Sequence, residues 1–121
     1  NADDIRVPYK MKKNVRANAV NNPLGKIPTD VWTKNNHTTS KEYAGWHSTQ
    51  KPIALLERII KAHTNPGDVV LDCFSGAGST MIACANLDRN FVGCEFDKEY
   101  VDKSLERLEK LSANQGEMFN V

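Results

Sequence analysis

Nothing in this sequence is abundant enough to classify it alone, and its shortages are the first guide. Cysteine occurs three times, at Cys73, Cys84 and Cys94. An odd number at wide spacing argues against a disulfide framework and a zinc knuckle, and favours a reducing, cytoplasmic setting. All three lie in apolar segments, where cysteine is expected as a small buried apolar group rather than a ligand or nucleophile. No apolar run is long enough for a transmembrane helix, so no membrane partner is expected. The N-terminus lacks the apolar stretch of a signal peptide. There is no Gly-Lys-Ser/Thr, which excludes a P-loop. Internal repeats and low-complexity tracts are absent. What remains is an ordinary composition. The 121 residues are 40% apolar and 26% charged, as in one globular domain or part of one. Asn1 is not a start residue, and Asn-Ala before Asp3 reads as the remnant of a cleaved tag, in which case the native stretch is expected to start inside a longer chain.

Charge is balanced in sum and uneven in place. Residues 1–52 carry nine Lys/Arg against four Asp/Glu, and residues 53–121 carry seven against eleven. A basic first part and an acidic second part point to a polyanion at one face only. Lys10, Lys12, Lys13 and Arg16 form the densest basic cluster.

Residues 1–46 have weak periodicity and read as loops, with short strands expected around Ile5–Val7 and Val31–Trp32. The pattern sharpens at Pro52, which suits a first helical turn, with Ser48 or Thr49 as a hydroxyl cap. Ile53, Leu56, Ile59, Ile60 and His63 recur at helical spacing and predict a helix over 52–63, with His63 packing or capping at its end. Asn65-Pro66-Gly67-Asp68 is turn chemistry. Val69–Cys73 reads as a buried parallel strand. Phe74–Gly78 is a glycine-bearing loop, and Ser79 and Thr80 can cap a helix to about Leu87. Arg89-Asn90 is a break. Phe91–Glu95 is a second strand ending in a carboxylate. Asp97 can cap a last helix to about Ser112, with Val101, Leu105 and Leu108 on one face. This is the opening of a doubly wound α/β sheet: an incomplete Rossmann-like fold of parallel strands with flanking helices. Two parallel strands cannot cover their own edges and faces, so further strands are expected from elsewhere.

In such sheets ligands sit beyond the carboxyl ends of the strands. Asp72, the 74–78 loop and Glu95 lie there. Gly76 and Gly78 admit close approach of a ligand to the backbone, and the following helix begins with free N–H groups. Glu95 can accept two hydrogen bonds from a vicinal diol such as ribose, and Phe96 can lie against an adenine ring. A dinucleotide fingerprint would need a third glycine where Met81 stands.

Three blocks in order add specificity. They are His47-Ser48-Thr49-Gln50-Lys51-Pro52, then Asp72-Cys73-Phe74-Ser75-Gly76-Ala77-Gly78-Ser79-Thr80, then Arg89–Glu95. Over roughly residues 22–111 this order resembles the amino-methyltransferases of DNA in their permuted β arrangement. There, H-x-T-x-K-P and D-x-F-x-G-x-G-(S/T)-T build the S-adenosylmethionine site. The resemblance implies that Asp72, Phe74, Gly76, Gly78, Ser79 and Thr80 surround the methionine part of that cofactor. It implies that Glu95 holds the ribose, Phe96 flanks adenine, Thr49 and Lys51 lie at the amino-acid end, and His47 orients its loop. Cys73 stands where proline is common, and Ser79 where threonine is common.

The resemblance also implies a (D/N/S)-P-P-(Y/F/W) catalytic loop that holds a flipped base. No Pro-Pro pair occurs in this sequence. No catalytic residue is therefore assigned, no metal is expected, and the chain alone is expected to methylate nothing. On this view residues 1–46 end a target-recognition region and residues 47–121 form the cofactor-binding part. The missing N-terminal catalytic half and DNA are the expected partners, with adenine N6 preferred over cytosine N4 from the family's tendency. A homodimer is a further expectation from the open sheet edges. The alternative is a nonenzymatic nucleotide- or DNA-binding module, such as a degenerate prophage remnant. Gln115, Met118 and Phe119 resemble the Q-x-x-(L/M)-F peptides that dock on sliding clamps; core packing is their competing role.

If the basic cluster meets phosphates, charge reversal at Lys12 and Lys13 in the complete protein should weaken DNA binding. Each lost contact should flatten the log–log salt dependence by about one. Binding isotherms across a salt series measure this, and an unchanged slope would reject the contact.

Overall fold

The computed structural model describes residues 2–6 and 42–117, with side chains at 4–6 and 42–113. Val31–Trp32, the basic residues Lys10, Lys12, Lys13 and Arg16, the Gln115 side chain, and Met118 and Phe119 lie outside those bounds. The elements are α1 (Ile53–His63), β1 (Val69–Asp72), α2 (Ser79–Ala85), β2 (Asn90–Gly93) and α3 (Lys98–Glu117). Ile5 belongs to a 3-10 turn, Ala2–Ile5, and not to a strand.

α1 forms where the apolar periodicity predicts it, but its cap differs. Pro52 is the capping residue in extended conformation and no side chain of its own loop caps the helix. Ser48 and Thr49 lie too early in the chain. The Glu42 carboxylate takes that place instead, accepting from the Ile53 amide at 3.2 Å. A carboxylate also suits the positive end of the helix. The helix stops at Thr64, whose hydroxyl and amide both donate to Ile60 O. His63 caps as expected, bonding Ile59 O through Nδ1. Arg89 then clamps the end of α1 to the turn before β2, donating to Thr64 Oγ1, Thr64 O and Leu87 O.

β1 and β2 are parallel, with Val70 opposite Phe91 and Asp72 opposite Gly93. Their register is set by the two turns that launch them. Gly67 N donates to Asp88 O, Asn90 N to Asp68 O, and Asn90 Nδ2 to Gly67 O. α2 is the crossover, and it packs against α1 and β2. Ile60, Ala83 and Cys84 form the buried centre, with Leu56, Val70, Leu87 and Phe91 packed on it.

Among the described residues, the strands are covered on one face only. Val70 and Phe91 face the helices, whereas Val69, Leu71 and Val92 on the other face are more than half exposed. The expectation of a fully buried strand is therefore corrected: burial alternates along β1 because α1 and α2 lie on the same side. The same geometry corrects the cysteines. Cys84 is fully buried, but Cys73 and Cys94 are exposed beyond the strand ends.

Two further expectations are revised. α2 is capped by Gly78 in left-handed conformation, with no side-chain cap. The Thr80 hydroxyl is committed to Asp72 and that of Ser79 accepts from Arg107. α3 begins as expected, with Asp97 Oδ1 accepting from the Glu99 amide, but it continues past Ser112 through Gly116. The ion pairs Lys98–Asp102, Lys103–Glu99 and Lys110–Glu106, each four residues apart, support its first three turns. Such exposed pairs are screened by water and salt and add little each. Of the expected Val101/Leu105/Leu108 face, Val101 and Leu108 are half-buried, but Leu105 is exposed. Ser104 is buried instead. The reason is steric: a Cβ on Gly78 would stand 2.8 Å from Ser104 Cβ and 3.1 Å from Met81 Cε, at φ +69°.

Gly78→Ala therefore meets both backbone strain and a backbone-proximal clash. The expected loss is about 2–4 kcal/mol, read as a lower urea midpoint with an unchanged slope.

Candidate functional site

The carboxyl ends of β1 and β2 open into a cleft of about 310 Å³ between the residue 47–51 loop, the glycine loop and Tyr100 of α3. Its floor is built from three polar links. Asp72, the last residue of β1, accepts from the Phe74 amide through Oδ1 and from the Thr80 hydroxyl through Oδ2, at 3.1 and 2.6 Å. That holds the glycine loop against the first turn of α2. Ser75 extends the strand pairing, its amide and hydroxyl both donating to Cys94 O. Glu95 then reaches across from the end of β2. Its Oε2 accepts from Gly76 N at 2.8 Å and its Oε1 from Asp97 N at 3.0 Å.

The amides of Asp97 and, next, Gly76 hold the Glu95 carboxyl below the usual carboxylate range. A carboxylate has about four lone-pair sites, so Glu95 retains acceptor capacity beyond its backbone bonds.

The wall opposite Glu95 comes from the 47–51 loop. His47 packs its ring on Gly76, where a Cβ would stand 2.8 Å from Nε2. Only glycine allows that approach. The imidazole also stacks on Tyr100, with centroids 4.8 Å apart, and Tyr100 in turn lies against Trp46. Thr49 and Lys51 are exposed on the rim, and Lys51 Nζ donates to Thr49 O. Beneath them the fully buried Gln50 carboxamide pins the loop, accepting from Ala44 N and donating to Glu42 O.

Of the residues singled out from the sequence, Thr49, Lys51, Asp72, Phe74, Gly76, Ser79, Thr80 and Glu95 come together around this cleft. Phe74 stands at the cleft almost wholly exposed, at 91%. Gly78 does not line the cleft. It lies behind it, against Ser104, so its small size serves packing. Phe96 is fully exposed and is not part of the lining. Tyr100 and Gln50 went unassigned in the sequence. Gln50 sat inside the H-x-T-x-K-P block as an unmarked position, and Tyr100 carried no signal beyond being an aromatic early in α3. Among the described residues no group of His, Cys, Asp or Glu could hold a metal ion. No described helix is long and apolar enough to cross a membrane.

A family model described as DNA methylase matches residues 1–106. This chain belongs to the DNA methylase family. Among curated relatives, the type II methyltransferase M1.MboII of Moraxella bovis is 37% identical, the match covering 94% of this chain and 50% of that protein. The DNA adenine methyltransferase YhdJ of Escherichia coli is 43% identical over 72% of this chain and 30% of its own length. A crystal structure of the M1.HpyAVI–SAM complex aligns at TM-score 0.51 and 56% identity, covering 52% of this chain and 31% of that one. The methylase chain spans half or less of the length of the relatives it matches.

The Glu95 links set a pH dependence for the methylase cleft. A carboxyl whose folded-state pKa is depressed stabilises the loop above its unfolded-state value, and that contribution disappears as pH falls through the folded-state pKa. A carbon-detected NMR titration should give Glu95 a midpoint below that of an unstructured peptide. Gly76 amide exchange should accelerate over the same interval. Glu95→Gln should abolish that acid-dependent step while leaving the core amides of α2 protected.

Proposed function

We propose that this chain is the S-adenosylmethionine-binding part of a site-specific DNA methyltransferase acting on an exocyclic amino group, adenine N6 in preference to cytosine N4. One observation carries the proposal. A carboxylate just beyond β2 is locked onto the glycine-loop amide beyond β1 and onto the Asp97 amide. This is the placement needed to hold a vicinal diol at the mouth of an open α/β sheet.

The residues present fit the cofactor. Glu95 can take the two ribose hydroxyls without giving up its backbone bonds. Phe74 offers an exposed aromatic face beside the cleft. Lys51 uses one N–H on Thr49 O and keeps two for a carboxylate at the rim. Asp72 and Thr80 hold the glycine loop in place before binding, which lowers the ordering cost of that segment. Bound there, the cofactor supplies an electrophilic methyl group on a sulfonium. The chain's own residues orient it, and among the described residues none is assigned to act on a base.

Base capture would fall to a (D/N/S)-P-P-(Y/F/W) loop, and the sequence has no Pro-Pro pair. The 121 residues alone are accordingly proposed to be inactive, with the remaining polypeptide as their partner. Val69, Leu71 and Val92 offer that partner an apolar sheet face. DNA would be met by the whole protein, with Lys10, Lys12, Lys13 and Arg16 as contributors of phosphate contacts.

Calorimetric titration of the complete protein with S-adenosylhomocysteine tests the cofactor site. Binding should be selective over NAD, and Glu95→Ala should weaken it about a hundredfold, the value of two charge-assisted hydrogen bonds. Equal binding of NAD, or an unaltered affinity in Glu95→Ala, would reject the assignment.

A further inference from the structure

Arg107 comes from the middle of α3 and lies half-buried behind the cleft, outside its lining. It is the one guanidinium, among the described residues, that reaches both walls. Nη1 donates to Ala77 O at 2.8 Å and to Ser79 Oγ at 3.1 Å, and Nη2 donates to Glu42 O at 3.1 Å. Ala77 and Ser79 flank Gly78 and are themselves buried, at 3% and 5% exposure. Their orientation fixes the peptide planes of the glycine loop just after Gly76. On the opposite wall, Glu42 O also accepts from buried Gln50, and the Glu42 carboxylate caps α1. The H-x-T-x-K-P loop and the glycine loop are thus held at a set separation through one planar fork.

We propose that Arg107 is a positioning residue that sets the width of the cofactor cleft by tying the residue 42–50 segment to the glycine loop. This rests on the cleft being the cofactor site. The chemistry favours arginine specifically. A guanidinium donates in two directions within one plane, whereas a lysine ammonium is a point donor that cannot hold both walls in fixed geometry. A half-buried cation is retained at a cost in solvation, and the burial itself pushes the Arg107 pKa down. Its three acceptors offset that cost only while both walls stay in place. Arg107 touches neither the cleft surface at Glu95 nor the reacting end, so its effect is transmitted through Ala77, Ser79 and Glu42.

The test compares Arg107→Met and Arg107→Lys with unaltered complete protein, titrated with S-adenosylhomocysteine at least about 20 °C below each melting midpoint. The expected result is an affinity about tenfold weaker in Arg107→Met and an intermediate value in Arg107→Lys, both at unchanged stoichiometry. Amide exchange at residues 76–80 and at Ala44 should accelerate together. A purely structural role would instead lower the melting midpoint and the binding-competent fraction, seen as reduced stoichiometry with unchanged Kd, and would overturn the inference. Unaltered protein that binds no S-adenosylhomocysteine would overturn the cofactor assignment, and this inference with it. Unaltered protein that binds normally, with Arg107→Met equal to it, would overturn this inference alone.

Discussion

The geometry of this cleft depends on one bond, from the Gly76 amide to the Glu95 carboxylate, 2.8 Å long and spanning the ends of two parallel strands. Side chains of the glycine loop do little to hold it, because Gly76 and Gly78 have none and Phe74 projects outward at 91% exposure, although Gly76, Ala77 and Gly78 are themselves buried. A charged acceptor supplies what apolar contact cannot, because hydrogen bonds to an ionised carboxylate are the stronger class. The second Glu95 bond, from Asp97 N, starts α3 in the right direction. One side chain therefore fixes the loop after β1, the end of β2 and the entry to the last helix. His47 seals the arrangement from above, and its ring fits only because residue 76 has no Cβ.

The elements were legible in the sequence where local pattern and tertiary context agree. The α1 periodicity, the Asn65–Asp68 turn, the strand–loop–helix–strand order and the Asp97 cap all depend on residues within a few positions of one another. The caps of α1 and α2 were misjudged because the deciding partners are remote. Glu42 lies 11 residues before the amide it serves. Ser79 and Thr80 look like capping hydroxyls, yet Thr80 bonds an Asp72 eight residues away and Ser79 accepts from α3. The length of α3 was underestimated because Gly116 reads as a break, whereas a mostly polar helix with ion pairs along its earlier turns extends through it.

The site shows the same division. Asp72, Gly76, Thr80 and Glu95 were readable because strand ends and glycine loops carry their own spacing. Gly78 was assigned to ligand approach, but its real neighbour is Ser104, a small residue on a helix that sequence spacing could not bring there. Gln50, Tyr100 and Arg107 act across gaps that no motif spans. The exposure of Cys73, Cys94 and the Val69, Leu71 and Val92 face follows from the same limit. Apolar character predicts burial, but which element performs it depends on what lies on that side of the sheet.

That open face bears on how the cleft is stabilised. Hydrophobic burial holds α1, α2 and one side of the strands together, through Ile60, Ala83 and Cys84. In the glycine loop that forms the cleft it reaches Ala77 and little else. The cleft loops are held by carboxylates, a carboxamide, a guanidinium and backbone amides, several of them in contact with water. Such links are modest one by one, and their value lies in geometry. A ligand that engages Glu95 and the glycine loop would bind the ordered arrangement and not the loosened one, and so would stabilise it by mass action. Covering the Val69, Leu71 and Val92 face acts on the same strands from the other side. The two effects meet at the carboxyl ends of β1 and β2, where Asp72 and Glu95 convert strand position into cleft geometry.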